Sequence, residues 1–232
     1  MKHRLTGLTV TLLAGSLQLV SAGDLTGKVS LKGTPKPEVP IPLGPQCGPL
    51  NADPDKVTTR HYVVGDGGGL ANVFVYLKDA TAAPATGDSP TLDQKGCLYD
   101  PYVLGVVVNQ KIKVHNSDAL LHNVHATPKL NKEFNFAQVT KGQEDLRSFD
   151  QAEVMVRMKC DVHPWMFAYI GVVDHPYYAV TDKDGNFKIA GVPDGKYTVL
   201  AYHVKSHGAN PGVSQSVDVK GSAKQDFTVV LQ

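Results

Sequence analysis

The sequence predicts an all-β protein built from sandwiches. Apolar and polar residues alternate with period two in several stretches, as half-buried strands require. Glycine- and proline-containing turn signals separate those stretches. No long segment carries helical periodicity. The composition agrees: 22 Gly and 15 Pro supply many turns. With 42% hydrophobic and 19% charged residues, against a usual charged share of about 25%, the chain is not disordered as a whole.

The strands can be taken in order. Val73, Val75 and Leu77 alternate with Phe74 and Tyr76. Ile112 and Val114 alternate with Lys111, Lys113 and His115. Val154, Val156, Met158 and Cys160 alternate with Met155, Arg157 and Lys159, which predicts an inward face ending on Cys160. Tyr197, Val199 and Ala201 alternate with Thr198, Leu200 and Tyr202. Phe227, Val229 and Leu231 close the chain. The turns fall at residues 65–69, at Asp184-Gly185 and at Pro193-Asp194-Gly195. Asp182-Lys183-Asp184-Gly185 has the start of a calcium loop but lacks its later acidic ligand, so a hairpin turn is expected there.

The chain of 232 residues carries 23 Lys+Arg against 22 Asp+Glu, a net charge of +1. This balance argues against a nucleic-acid partner, which calls for a basic excess. Residues 1–22 read as a secretory signal. Lys2, His3 and Arg4 form a positive start, Leu5 to Leu19 is mostly apolar, and Val20-Ser21-Ala22 supplies small residues before a cleavage point after Ala22. Polar residues such as Thr9, Thr11, Ser16 and Gln18 and the short length argue against a membrane span. No later stretch could span a bilayer, so no transmembrane segment is expected after cleavage. The expected location is periplasmic or secreted, in an oxidising compartment. The chain has three cysteines, Cys47, Cys97 and Cys160, and an odd count leaves one thiol over.

Residues 81–91 are small, polar and proline-containing, as a linker is. Residues 25–77 and 178–202 resemble the two halves of a carboxypeptidase-regulatory-like, or transthyretin-like, sandwich. The division is therefore 23–91 as its first part, 92–175 as a separate β-domain, and 176–232 as its second part. The alternative is a row of consecutive modules.

The sharpest local signal is Cys160-Asp161-Val162-His163-Pro164-Trp165-Met166, directly after a strand. A thiolate, an imidazole and a thioether in one short loop suit copper, which favours two His and one Cys with a weak axial Met. The second His comes from His122-Asn123-Val124-His125. A lone buried cysteine in an exported chain would otherwise be read as half of a disulfide or as an inert thiol.

These two motifs resemble those of the cupredoxin, or type 1 blue copper, family, with a site of amicyanin/plastocyanin type. The resemblance covers about residues 92–174 and rests on His122 to His125 and on Cys160, His163, Pro164, Trp165 and Met166. It implies a Greek-key β-sandwich, inserted in or joined to the second, immunoglobulin- or transthyretin-like sandwich. It implies one mononuclear copper site held by His122, Cys160, His163 and Met166. Asn123 would brace the ligand loop by hydrogen bonding. His163 would reach the surface through an apolar patch including Pro164 and Trp165. With Cys160 on the metal, Cys47 and Cys97 are left to pair as a disulfide.

His125 falls on the strand face opposite His122 and is expected to make structural hydrogen bonds. His115 is expected to face outward and Met158 to be core. His61, His175, His203 and His207 show no partner pattern and are expected to be exposed or in loops. The chain has no haem-attachment motif, no phosphate-binding glycine loop, no His-x-His pair and no nucleophile–base–acid arrangement. A non-enzymatic, exported one-electron carrier follows, with a periplasmic cytochrome c or dehydrogenase as the implied partner class. The alternatives are an envelope-interaction or carbohydrate-binding sandwich, and a copper storage or delivery protein.

Overall fold

The computed structural model describes residues 21–206 and 212–231. Most of the expected signal segment, and His207, lie outside them. Among the described residues the strands begin with β1 (Ala22–Lys32) and β2 (Phe74–Leu77). Nine follow in the middle of the chain: β3 (Thr91–Lys95), β4 (Leu98–Asp100), β5 (Val103–Val107), β6 (Ile112–Asn116), β7 (His122–Thr127), β8 (Phe134–Gln138), β9 (Glu144–Arg147), β10 (Glu153–Lys159) and β11 (Phe167–Val173). The last are β12 (Tyr178–Val180), β13 (Asn186–Pro193), β14 (Gly195–Tyr202), β15 (Val213–Val219), β16 (Ala223–Lys224) and β17 (Phe227–Val230). The described helical turns are three or four residues long. No described helix is long and apolar enough to cross a membrane. The fold is all-β.

The strands form four sheets separated by three apolar layers. The first sheet is β13-β1-β16, with β17 also on β1, and the second is β12-β2-β14-β15. Between them lie Leu25, Val29, Val73, Val75, Leu77, Ile189, Val199 and Phe227. The third sheet is β5-β11-β10-β7-β8 and the fourth is β4-β3-β6-β9. Leu92, Val114, Val124, Met158, Ala168 and Ile170 fill the space between those two. A middle layer of Phe74, Tyr102, Val103 and Val173, flanked by Tyr76, Phe167, Tyr169 and Tyr178, joins the second sheet to the third.

The middle layer explains two sequences that are apolar on both faces. In β2, Val75 and Leu77 face one layer while Phe74 and Tyr76 face another. In β11, Ala168, Ile170 and Val172 face inward while Phe167, Tyr169 and Val173 face the middle. Period-two alternation sends successive side chains to opposite sides, so both sides must be covered. The sheets approach closely because Gly105 and Gly171 are register partners on neighbouring strands. They leave a slot in which the Phe74 and Tyr178 rings sit, and the Tyr178 hydroxyl donates to the Gly105 carbonyl at 3.0 Å.

The chain leaves the second sheet after β2 and returns to it at β12. Those two strands are antiparallel neighbours, with Tyr178 opposite Tyr76. β1 is held by partners from the far end of the chain, antiparallel to β13 and parallel to β16 and β17. Residues 40–60 depart from both sandwiches and lie against the middle unit. The Asn51 side-chain amide donates to the carbonyls of Cys47 and Gly96 at 3.0 Å. The Arg60 guanidinium donates to the Tyr99 carbonyl at 2.9 Å and lies 4.6 Å from the Tyr102 ring centre.

The phase of β10 differs from the alternation read in the sequence. Its register shifts between Glu153 and Val156, and Met155 has a φ of 64°. This bulge turns Val154 and Met155 toward the middle layer, while Val156, Met158 and Cys160 stay on the inner face. The Asp182 loop is a turn: its carboxylate accepts from the Asp184 and Asn186 amides, and Gly185 has a φ of 82°.

A Cβ at Gly171 would meet the buried Phe74 ring at 2.6 Å. Gly171→Ala is expected to destabilise by about 1–3 kcal/mol, the usual cost of overpacking. Urea unfolding checks this, and adding Phe74→Ala should cost less than the two single losses combined, because the residues share one contact.

Candidate metal centre

His122 opens β7 and alternates inward with Val124 and Ala126, so its ring enters the core at one end of the third sheet. Cys160 follows β10 in phase with Val156 and Met158. β7 and β10 are antiparallel neighbours, with His125 opposite Lys159, which sets His122 and Cys160 at the same end. The loop after Cys160 is closed by its own backbone. The Cys160 amide donates to the Met166 carbonyl at 3.0 Å, and the Met166 amide donates to the His163 carbonyl at 2.8 Å. This turn swings His163 back toward Cys160.

Three donors converge. The Nδ1 atoms of His122 and His163 lie 3.2 Å apart, and Cys160 Sγ lies 3.7 Å from His163 Nδ1. Ligand atoms of all three residues lie within 4.8 Å of one another. His122, Cys160 and Met166 are each at most 2% exposed. Met166 shares the apolar cluster of Cys160. Cys160 is a free thiol, whereas Cys47 and Cys97 form a disulfide with their Cα atoms 5.7 Å apart.

The electrostatics favour a thiolate. Burial pushes the Cys160 pKa up, but hydrogen bonds from His122 and from the amides of Asn123, His163 and Val162 outweigh it and hold the thiol below its ordinary value. The Asn123 amide donates to the sulfur at 3.3 Å. The Asn123 side-chain oxygen accepts from the Asp161 amide at 3.1 Å, tying the strand to the loop.

Asp118 is the residue the sequence reading missed. It lies four positions before His122, in a polar lead-in that reads as an ordinary turn. Its carboxylate is 2.9 Å from His122 Nε2 and accepts from the Gly96 and Cys97 amides at 2.8 Å each. Burial opposes its charge, but these bonds, His122 first, keep its pKa below the ordinary value. Burial likewise opposes charge on His122, yet hydrogen bonds to Asp118 and Cys160 push its pKa up to about 9. Burial, then the neighbouring His122 charge, pushes His163 down. With Asp118 on Nε2, the His122 ring presents Nδ1 to the centre.

His163 is not at the surface as expected. It is only 7% exposed, and Trp165 packs beside it with ring centres 5.5 Å apart. The Trp165 indole donates to the Cys97 carbonyl at 3.1 Å. Ile41, Leu43 and the disulfide complete the cover, while Asp161, Val162 and Pro164 of the loop face solvent. An arm of irregular chain has covered the patch.

His125 lies outside the centre. Its Nδ1 is 2.8 Å from Asp161 and its Nε2 is 2.7 Å from Glu133. Asp161 is held down at about 2, first by Lys159 and then by His125. His115 faces Glu144 at 3.1 Å. His175 and His203 are loop residues, but both are buried. His175 donates from Nε2 to the Leu77 carbonyl at 2.7 Å. His203 stacks on Tyr62, and burial pushes its pKa down to about 4.

The donor set fits a copper ion. A buried thiol and two imidazole nitrogens, with Met166 buried in the same apolar cluster as Cys160, are soft-to-borderline donors. Cys97 and Asp118 also approach His122, but the Cys97 sulfur is committed to its disulfide.

No family model matches this chain, and no curated protein matches it. Similar solved structures include a copper-containing nitrite reductase from Thermus scotoductus SA-01, at 18% identity and a TM-score of 0.35. The match covers 41% of this chain and 25% of that one, so the chain spans a quarter of the reductase's length. A purple cupredoxin from Nitrosopumilus maritimus is 20% identical with a TM-score of 0.32, over 36% of this chain and 99% of its own. An amicyanin variant in the Cu(I) state is 20% identical with a TM-score of 0.33, over 42% of this chain and 97% of its own.

Asp118→Asn tests the carboxylate. The raised pKa of His122, about 9 against an ordinary 6.5, means the metal-free ring stays protonated through neutral pH and loses its proton as pH rises through about 9. In Asp118→Asn the midpoint should fall toward 6.5, read from the His122 ring resonances by NMR. An unchanged midpoint would show that Asp118 does not hold the proton.

Proposed function

We propose that the chain binds one copper ion, which His122, Cys160 and His163 would hold with Met166 as a weak fourth donor. On this reading it is an exported, non-enzymatic one-electron carrier. Its partner would be a periplasmic redox protein, a cytochrome c or a dehydrogenase. The observation that carries the reading is the free, buried Cys160 thiol, hydrogen-bonded as a thiolate would be and facing two imidazole Nδ1 atoms.

When bound, copper supplies exchange of a single electron between Cu(II) and Cu(I). The chain supplies everything that keeps the donors still. Asp118 orients His122, the Asn123 amide and side chain fix the Cys160 loop, and the Cys160–Met166 and Met166–His163 backbone bonds close it. Burial excludes water from the donors. Donors fixed in advance need little rearrangement when the ion's charge changes, which is what fast electron exchange requires. Binding a cation requires the Cys160 thiol and the protonated His122 ring to release their protons. Copper affinity is therefore expected to rise with pH up to about 9, the pKa of His122.

A second reading, copper storage or delivery, draws support from the cover over His163. Visible spectroscopy separates the two. A thiolate bound to Cu(II) gives an intense visible band, and only Cys160 can supply it here. The copper-loaded protein should show that band and lose it reversibly on reduction. Cys160→Ala should abolish it, while Met166→Gln should keep a coloured site with a shifted potential. His122→Ala should cost far more copper than His125→Ala. Tight binding of one copper without the band would favour storage.

A further inference from the structure

The cover over His163 is itself made of potential ligands. The sulfurs of Cys47 and Cys97 and a ring nitrogen of His163 all lie within 4.8 Å of one another. All three residues are buried. As a disulfide the two sulfurs offer no thiolate, and it is as thiolate that a cysteine binds a metal ion.

The two cysteines are also anchored independently of the bond between them. Cys97 is held by its amide, which with that of Gly96 donates to the buried Asp118 carboxylate. Its carbonyl accepts from the Trp165 indole. Cys47 is held by its carbonyl, which accepts from Asn51, and the same Asn51 amide group reaches Gly96. Arg60 pins the returning limb of the arm to Tyr99. Ile41, Leu43 and Val57 pack the arm against Leu98, Leu120 and Trp165. Cutting the sulfur–sulfur bond thus leaves both thiols facing His163.

We propose that reduction of the Cys47–Cys97 disulfide creates a second soft-metal site, formed by the two thiols and His163, which takes a monovalent soft cation such as Cu(I). The reductant is a dithiol. It gives two electrons and two protons to the sulfur–sulfur bond, which breaks into two thiols, and becomes a disulfide itself. Those thiols release their protons when they bind the cation. The site shares His163 with the centre described above, so it rests on the copper reading for the identity of its natural ion. The thiol state of the arm then sets where the chain holds a soft ion. In an oxidising compartment the arm is a closed cover, and where dithiol reductants act it becomes a receiver.

The test uses the full chain with Cys160→Ala, which removes the first site's thiolate. Half is reduced anaerobically with a dithiol and desalted, and half is left oxidised. Free thiols are counted in both, and Cu(I) is offered in the presence of a chromophoric Cu(I) chelator. The reduced form should withdraw one Cu(I) per chain from the chelator and the oxidised form none. Equal withdrawal by both forms would overturn the proposal. If Cys160→Ala does not fold, the wild-type chain and Cys47→Ser are compared instead. Reduction must increase the Cu(I) taken by the wild type and leave Cys47→Ser unchanged; an equal increase in both overturns the proposal. The visible band of the oxidised wild type reports on the first site separately, so loss of one reading does not conceal the fate of the other.

Discussion

A carboxylate buried at 4% exposure is tolerated only if its oxygens are fully engaged. Asp118 meets that demand with three partners: His122 Nε2 and the amides of Gly96 and Cys97. Those partners belong to β7 and to the tight turn between β3 and β4. One side chain therefore fixes the orientation of a core imidazole and the position of a half-cystine. The half-cystine in turn secures the arm that lies over His163. Gly96 and Cys97 both have positive φ, 64° and 56°, the conformation that lets successive amides point at one anion. The centre and its cover are consequences of the same hydrogen-bonded anion.

The wider architecture follows from burying both faces of two sheets. A sandwich sheet normally shows one face to water. Here β2 and β11 are apolar on both faces, so each sheet needs a second neighbour. The two sandwiches supply one another with it, through an aromatic layer that the Gly105–Gly171 slot brings close. Charge also meets aromatic rings on the middle unit, with Arg157 over Phe167 and Arg147 over Phe136.

The fold class and the core strands were legible in the sequence because burial imposes a visible period. The stretches around Val75, Val114, Val156, Val199 and Val229 all fall in strands. β9 was not legible, because an edge strand exposing Glu144 and Leu146 needs no apolar alternation. Nor was the bulge at Met155, since no rule marks a non-glycine residue for positive φ. In the centre, the spacing from Cys160 to Met166 and the His122 motif carried the signal, and the structure brings His122, Cys160 and His163 together. Asp118 left none, because a short acidic residue in a polar loop looks the same whether solvated or buried. The cover over His163 was hidden for another reason: residues 40–60 have no periodicity, and their contacts lie some fifty positions away. His175 and His203 show the same limit, because a lone histidine bonded to a distant backbone group or stacked on a distant ring carries no local pattern.

The pairing of β2 with β12 has a consequence for the order of folding. Tyr76 and Tyr178 are register partners on neighbouring strands, separated by about a hundred residues of chain. If that intervening chain were unfolded, closing it would cost about 3 kcal/mol more than closing a four-residue turn. Once the middle unit has folded, its two ends are already side by side, and the same closure resembles that of a tight hairpin. Folding of the unit that bears His122, Cys160 and His163 therefore removes most of the closure cost of pairing β2 with β12 in the outer sandwich.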